Sequence, residues 1–414
     1  MEHSLAKVSS CLTIKNFQGR LFSGVRLSNL RRGTGDEMAK HDNLRGLAAT
    51  RPEQCFDATT TTNIMEKNMR ILKSLALGAS VSVATFALST AAAAQEFTFS
   101  IHHFLSPQAP AHKELIEPWA RSIEEASGGR IAFEIYPAMS LGGTPPELYN
   151  QLKAGVADVV WTLPGYTPGQ FPRTEVFELP GIHLSDARAT NLAIQDLMEI
   201  LLPDYVGIHP LLVHVHAGNA LHFREGTVNS LADFEGLKLR SPSRTGVWMI
   251  EEMGAVPVGM PLPAVPQALK DGTLDAGMFP FEVTIPLGIA DLTSSSVEMD
   301  QGARFGTSTF MLAMNLDSYN SLPPDLQKIV DDNSGAAIAG AMGDAWNRIE
   351  PVGVRLALEA GNEVTQLSPE ATAEFNAPFD ATVQRWIEEA AVVGIDAEAL
   401  LGSARSIIAE YARQ

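Results

Sequence analysis

Between residues 97 and 161 the apolar positions switch repeatedly between two periods, and this alternation narrows the fold more than any other feature. Phe97-Thr98-Phe99-Ser100-Ile101 alternates apolar and polar, the pattern of a strand with one buried face. Residues 112–127 put Leu115, Ile116, Trp119 and Ile123 at helical spacing, and Gly128-Gly129 closes that helix. A second strand spans 131–136. A helix over 145–154 opens on two prolines, where the missing N–H costs nothing. A third strand spans 156–161. The βαβαβ order predicts an α/β fold with a largely parallel sheet. Further strands are expected at 211–216, 221–224, 237–240 and 274–279, and helical stretches at 245–253 and 262–269. Residues 325–349 read as one long helix that Pro351 ends or kinks, and 380–393 as a C-terminal helix.

What precedes this pattern is of another kind. Met69-Arg70-Ile71-Leu72-Lys73 is a short basic start, residues 74–95 carry no charge, and Ala92-Ala93-Ala94 is followed by Gln95. These are the three regions of a cleaved secretory signal. The run is too rich in Ser, Thr, Gly and Ala to read as a membrane anchor. Residues 1–68 show no sustained period, and the expected reading is a poorly ordered extension upstream of the true translation start. The net charge of −18 is unevenly placed: residues 95–414 carry 18 basic and 41 acidic residues, a net of −23. A face that acidic excludes a nucleic-acid binder. Both cysteines, Cys11 and Cys55, lie upstream, so the rest of the chain supports neither a disulfide framework nor thiol catalysis.

No nucleophile elbow, zincin helix, P-loop or dinucleotide fingerprint is present. His214 and His216 share a face of a strand, with His209 and His222 nearby, but nothing fixes a third metal ligand. The plainer reading places them on the less buried face of an edge strand. No metal and no cofactor are expected. In open α/β sheets ligands bind beyond the carboxyl ends of the strands. Those ends carry His102-His103-Phe104, Trp161-Thr162-Leu163-Pro164-Gly165-Tyr166, Arg240-Ser241 and Phe279. They offer aromatic and apolar walls with one arginine. A guanidinium suits a carboxylate, and an ion pair with one of the acidic residues remains the structural alternative.

The segment from Ser230 to Pro242 (SLADFEGLKLRSP) resembles the "ADLKGLKIRVP" signature of the solute-binding proteins of tripartite ATP-independent periplasmic (TRAP) transporters. Ser127-Gly128-Gly129-Arg130-Ile131, Tyr136-Pro137 with Leu141-Gly142, residues 152–158, Glu178-Leu179-Pro180, residues 272–280 and residues 322–327 resemble further family stretches in the family's order. The resemblance covers about 95–414. It implies a two-domain periplasmic-binding-protein-like α/β fold with mixed sheets, hinge strands and a long domain-spanning helix. It implies no enzyme. It implies a periplasmic receptor, usually monomeric, that binds a small organic acid in an interdomain cleft and passes it to the membrane subunits of the transporter. Arg240 is then expected to hold the carboxylate, with His102, Trp161, Leu163, Tyr166, Leu262 and Phe279 around it. The expected segments are 1–68, the signal 69–94, domain I from 95–217 and 304–345, domain II from 218–303, and 346–414 as the end of the spanning helix and the C-terminal helices.

The departures from the family pattern concern the ligand. Where many members carry a second arginine, this chain reads Gly218-Asn219-Ala220. Leu163 stands where some sugar-acid binders have a carboxylate, and Gly277-Met278-Phe279 replaces a polar Gln-Glu-Asn. A monocarboxylate with an apolar or aromatic body is expected, ahead of a C4-dicarboxylate. Two other functions fit parts of the pattern: a secreted metal-dependent enzyme built on the histidines, and a ligand-sensing partner of a membrane signalling protein.

Overall fold

The computed structural model describes residues 95–414; the extension and the signal-like segment lie outside the described residues. Two sheets organise the chain. The first holds β1 (Phe97–His103), β2 (Ile131–Tyr136), β3 (Val159–Thr162), β4 (Ile208–Val215) and β10 (Thr309–Asn315), in the order β2-β1-β3-β10-β4. The second holds β5 (Ala220–Phe223), β6 (Lys238–Ser241), β7 (Val256–Gly259), β8 (Ala276–Phe279), β9 (Ser295–Glu298) and β11 (Glu363–Gln366), in the order β11-β9-β5-β8-β6-β7. Both sheets are mixed. β1 runs parallel to β2 and β3, but β10 lies antiparallel between β3 and β4. The largely parallel sheet suggested by the early βαβαβ order is therefore corrected by a strand that arrives from far along the chain.

The chain crosses between the sheets at 216–219 and again at 299–308. The two crossings bond to each other, since Asn219 N–H donates to the Gly306 carbonyl and Phe305 N–H to the Asn219 carbonyl, each at 2.9 Å. Each sheet has its own core. Ile101, Val160, Trp161, Leu212 and Leu312 pack in the first; Leu221, Phe234, Leu239, Met249 and Phe375 pack in the second.

The expected single helix over 325–349 is two, Pro324–Asp332 and Ala336–Glu359, divided at Gly335, whose φ of +55° suits glycine. The second runs on past Pro351, which has no N–H to give to the Asn347 carbonyl. It packs on the helix Ala187–Asp196 and β4 of the first lobe, and on the 281–283 turn and β11 of the second. Two glycines permit this seating. A methyl at Gly343 would meet the Arg188 backbone at 2.3 Å, and one at Gly353 would meet the Phe281 carbonyl oxygen at 2.3 Å. No helix among the described residues is long and apolar enough to cross a membrane.

Candidate functional site

Local chemistry explains how Arg240 is presented. Ser230 and Asp233 form a capping box on the turn Leu231–Phe234. Phe234 is fully buried, and Gly236 at φ +76° turns the chain into β6. Asp275 then accepts the Lys238 N–H at 2.8 Å and fixes the strand end. Successive side chains on a strand face opposite ways. Leu239 enters the second core, and Arg240 points away from it into the cleft between the lobes.

There it lines a narrow, largely apolar cavity. The first lobe contributes Phe104, Trp161, Leu163, Tyr166 and Phe310. Trp161 is stacked between Phe104, with centroids 5.2 Å apart, and Phe310, at 4.8 Å. The second lobe contributes Arg240, Leu262, Phe279 and Glu282, and the crossings add His216, Asn219 and Ser308. Trp346 reaches in from the spanning helix. A Cβ at Gly277 would stand 2.3 Å from the Phe279 ring, so the glycine lets that ring fold back over its own strand.

Arg240 is only 2 % exposed. Its Nε donates to the Met260 carbonyl and its Nη1 to the Met278 carbonyl, both at 3.0 Å. No carboxylate lies within 4 Å of it among the described residues, so the structural ion pair left open by the sequence is absent there. Burial pushes the guanidinium below its ordinary pKa, yet arginine stays charged at neutral pH. The Tyr166 hydroxyl accepts the Leu262 N–H at 2.9 Å; burial raises its pKa, and the Arg240 charge works against that rise. His216 accepts the Gly218 N–H at Nδ1, 2.9 Å away, which leaves the Nε2–H as a donor with no protein partner among the described residues. Burial holds this histidine neutral, well below its usual pKa. A cation, a phenol and neutral donors inside aromatic walls can hold a carboxylate on an apolar body.

Six of the seven residues expected at the site line this cavity: Arg240, Trp161, Leu163, Tyr166, Leu262 and Phe279. His102 does not. It lies within β1, where its Nδ1 bonds Gln151 of the helix Leu148–Lys153 at 2.9 Å, between sheet and helix. The strand must end before its residues reach the cleft, and those that do are Phe104 and Leu105. Phe310, Trp346, Ser308 and Glu282 carried no strand-end signal, because three of them follow the late return of the chain to the first lobe and one sits past a proline turn. His216 and Asn219 were visible only as a metal candidate and as a missing arginine.

The histidines do not converge. β4 is an edge strand, but His214 is fully buried rather than on its open face. Trp161 Nε1–H donates to its Nε2 at 3.0 Å, and its Nδ1 lies 3.3 Å from the Trp346 Nε1 and 3.2 Å from the Val215 carbonyl. His209 bonds Asp331 at 3.1 Å, and His222 sits between Ser296 and the Phe279 carbonyl at 2.8 and 3.0 Å. No group of three potential metal ligands occurs among the described residues.

The lobes also touch across the cleft mouth. Arg244 makes a two-pronged pair with Glu175 at 2.6 and 2.7 Å, and Thr245 donates to Glu178 at 3.0 Å. Gly165 lies against Ser243, where an added Cβ would stand 2.7 Å from the serine Cβ.

Residues 101–389 match the model of the bacterial extracellular solute-binding protein, family 7. A TRAP solute-binding protein from Rhodoferax ferrireducens T118, solved with copurified benzoate, is 39% identical, with a TM-score of 0.74 over 76% of this chain and 98% of that one. A marine-metagenome TRAP solute-binding protein specific for aromatic acid ligands, solved with 3-hydroxybenzoate, is 36% identical, with a TM-score of 0.74 over 77% of this chain and 99% of that one. The outer membrane transporter protein TsaT of Comamonas testosteroni is 21% identical over 76% of this chain and 93% of its own length. Its sequence and its architecture together make this chain a member of extracellular solute-binding protein family 7, the solute-binding proteins of TRAP transporters.

Proposed function

We propose that this chain is a periplasmic receptor for an aromatic monocarboxylate, which it binds between its lobes and delivers to the membrane subunits of a TRAP transporter. The observation that carries the reading is Arg240, a buried cation with no acidic partner among the described residues, set in aromatic walls. A buried charge without a partner is costly, and a ligand carboxylate removes that cost by a charge-assisted bond. The apolar lining suits a ring better than a polyhydroxylated chain. The solved relatives above carry benzoate and 3-hydroxybenzoate. Family and structural neighbours are solute-binding proteins of transport systems, not enzymes.

On this reading Arg240 holds the carboxylate, Tyr166 and His216 support it, and Trp161, Leu163, Leu262 and Phe279 enclose the ring. The lobes correspond to 95–217 with 304–345 and to 218–303; residues 346–414 tie them together, and β11 extends the second sheet. Export through a cleaved signal at 69–94 fits a receptor that meets its ligand outside the cytoplasm. The test is a thermal-shift screen of aromatic acids, C4-dicarboxylates and sugar acids. An aromatic monocarboxylate at about 100 times its Kd should add about 2.7 kcal/mol of stability. Stabilisation by sugar acids alone would overturn the reading.

A further inference from the structure

We propose that Glu282 and Asn219 form a second polar subsite, across β8 from Arg240, that takes a hydroxyl borne by the ligand's ring. The inference rests on the aromatic-monocarboxylate reading above and adds a selection that Arg240 alone cannot make: hydroxylated acids over their unsubstituted parents.

The topology separates the two subsites. β8 is flanked by β6 on one side, where Arg240 pairs with Gly277, and by β5 on the other, where Ala220 pairs with Phe279. Asn219 directly precedes that second pair, and Glu282 follows β8 after Pro280 and Phe281. Strands two places apart are about 10 Å from axis to axis, a span that suits one ring with a polar group at each end. All three residues line the one cavity.

Neither side chain is satisfied by the protein. Asn219 is 1 % exposed, and its Oδ1 has no hydrogen-bond partner among the described residues. Glu282 is 3 % exposed, and neither carboxyl oxygen meets a cation or a hydrogen-bond donor among the described residues. Native proteins rarely leave such groups unpaired, because each costs roughly 1–3 kcal/mol. Glu350, its neighbour on the spanning helix, shows the contrast. It accepts the N–H groups of Phe281 and Glu282 at 3.0 Å each and pairs with Arg304 at 2.9 Å. It fixes the turn that carries Glu282, and the nearby Arg304 is shared between Glu350 and Glu298.

Charge then decides what Glu282 offers. Burial, with Glu350 adding to it, raises its pKa well above the carboxylate range. A protonated carboxyl and an amide both donate and accept, and so does a hydroxyl. One ligand carboxylate neutralises Arg240; a second on the same ligand would face Glu282 with no cation to balance it, so dicarboxylates are disfavoured.

The test is calorimetric titration of the purified protein and of Glu282→Met, Glu282→Gln and Asn219→Ala with benzoate, 3-hydroxybenzoate, 4-hydroxybenzoate and 3-hydroxyphenylacetate. The wild type should bind at least one hydroxylated acid about tenfold tighter than benzoate. Glu282→Met should bring that acid to within about twofold of benzoate, and Glu282→Gln should retain most of the preference. Asn219→Ala should reduce the preference by itself, and it decides the matter if Glu282→Met does not fold. Equal weakening of benzoate and the hydroxylated acids, or no preference in the wild type, overturns the second subsite and leaves the carboxylate site standing. Failure of every aromatic acid to bind the wild type overturns both.

Discussion

The two lobes meet at one cavity but bring opposite chemistry to it. The first presents the stack Phe104–Trp161–Phe310, rigid and apolar. The second presents Arg240 and Glu282, each buried without a counter-ion among the described residues. On the proposed reading the stack encloses the ring together with Leu262 and Phe279, while Arg240 and Glu282 set where its polar groups sit. Neither set of contacts is complete while the lobes are apart, so a ligand that satisfies both favours the state in which they touch. Apolar stacking stabilises the first lobe with or without ligand, whereas the second carries a desolvated cation that, on the proposed reading, a ligand carboxylate would pair.

The largest effect should come from removing the charge. Arg240→Ala is expected to weaken aromatic carboxylates at least about 30-fold, because the ligand anion would be buried unpaired at a cost of roughly 2–5 kcal/mol. Calorimetric titration measures it, and the unfolding midpoint of the free protein should change little. Unchanged affinity would move the carboxylate elsewhere in the cleft. Trp161→Ala strikes the other lobe and should act differently. It should cost about 3–5 kcal/mol of folding stability, with a smaller loss of affinity, and should weaken all ring-bearing ligands alike. Chemical denaturation beside titration separates the two. Gly165→Ala pushes the lobes apart at Ser243 without touching the lining chemistry. It should weaken every ligand by a similar, modest factor and expand the liganded protein in small-angle scattering. Selective loss of one ligand class would show that Gly165 shapes the pocket rather than its closure.

The smallest effect concerns pH. Burial pushes His214 down to about 4, so it is neutral in the folded chain and protonated in the unfolded one between pH 4 and 6.5. Its contribution is complete above pH 6.5 and is lost as pH falls towards 4. His183, at about 4, and His222, at about 3, act in the same direction. Glu282 and Glu350, raised by burial, oppose them, since their contribution is present at low pH and lost as pH rises. His214→Phe keeps an aromatic stack beside Phe310. It should reduce the slope of unfolding free energy against pH by up to about 1.4 kcal/mol per pH unit in that window, as read from denaturant titrations at several pH values.

The second lobe's half of the site was the more legible in sequence. A capping box, a glycine turn and a short strand place Arg240 by local rules, and these are visible in thirteen consecutive residues. Trp161 and Phe279 were equally readable as strand ends. The remainder depends on contacts between distant segments. Nothing local tells that β10 inserts antiparallel between β3 and β4, and Phe310 and Ser308 enter the cavity only because it does. β7 and β11 are short and partly exposed, and Pro257 interrupts the first, so no alternation marks them. His102 falls outside the cavity because β1 runs on to His103, beyond the strand end read from the sequence. Nothing in the sequence marks Glu282 out among the acidic residues, and the spanning helix packs on the turn that buries it.

That helix has a mechanical consequence. Gly343 and Gly353 set it directly on the backbone of each lobe, with no side chain between to compress or rotate. It therefore acts as a gauge of fixed length, ten residues from one bearing to the other. Widening of the jaws would load the helix between those bearings, where Pro351 has already removed one rung.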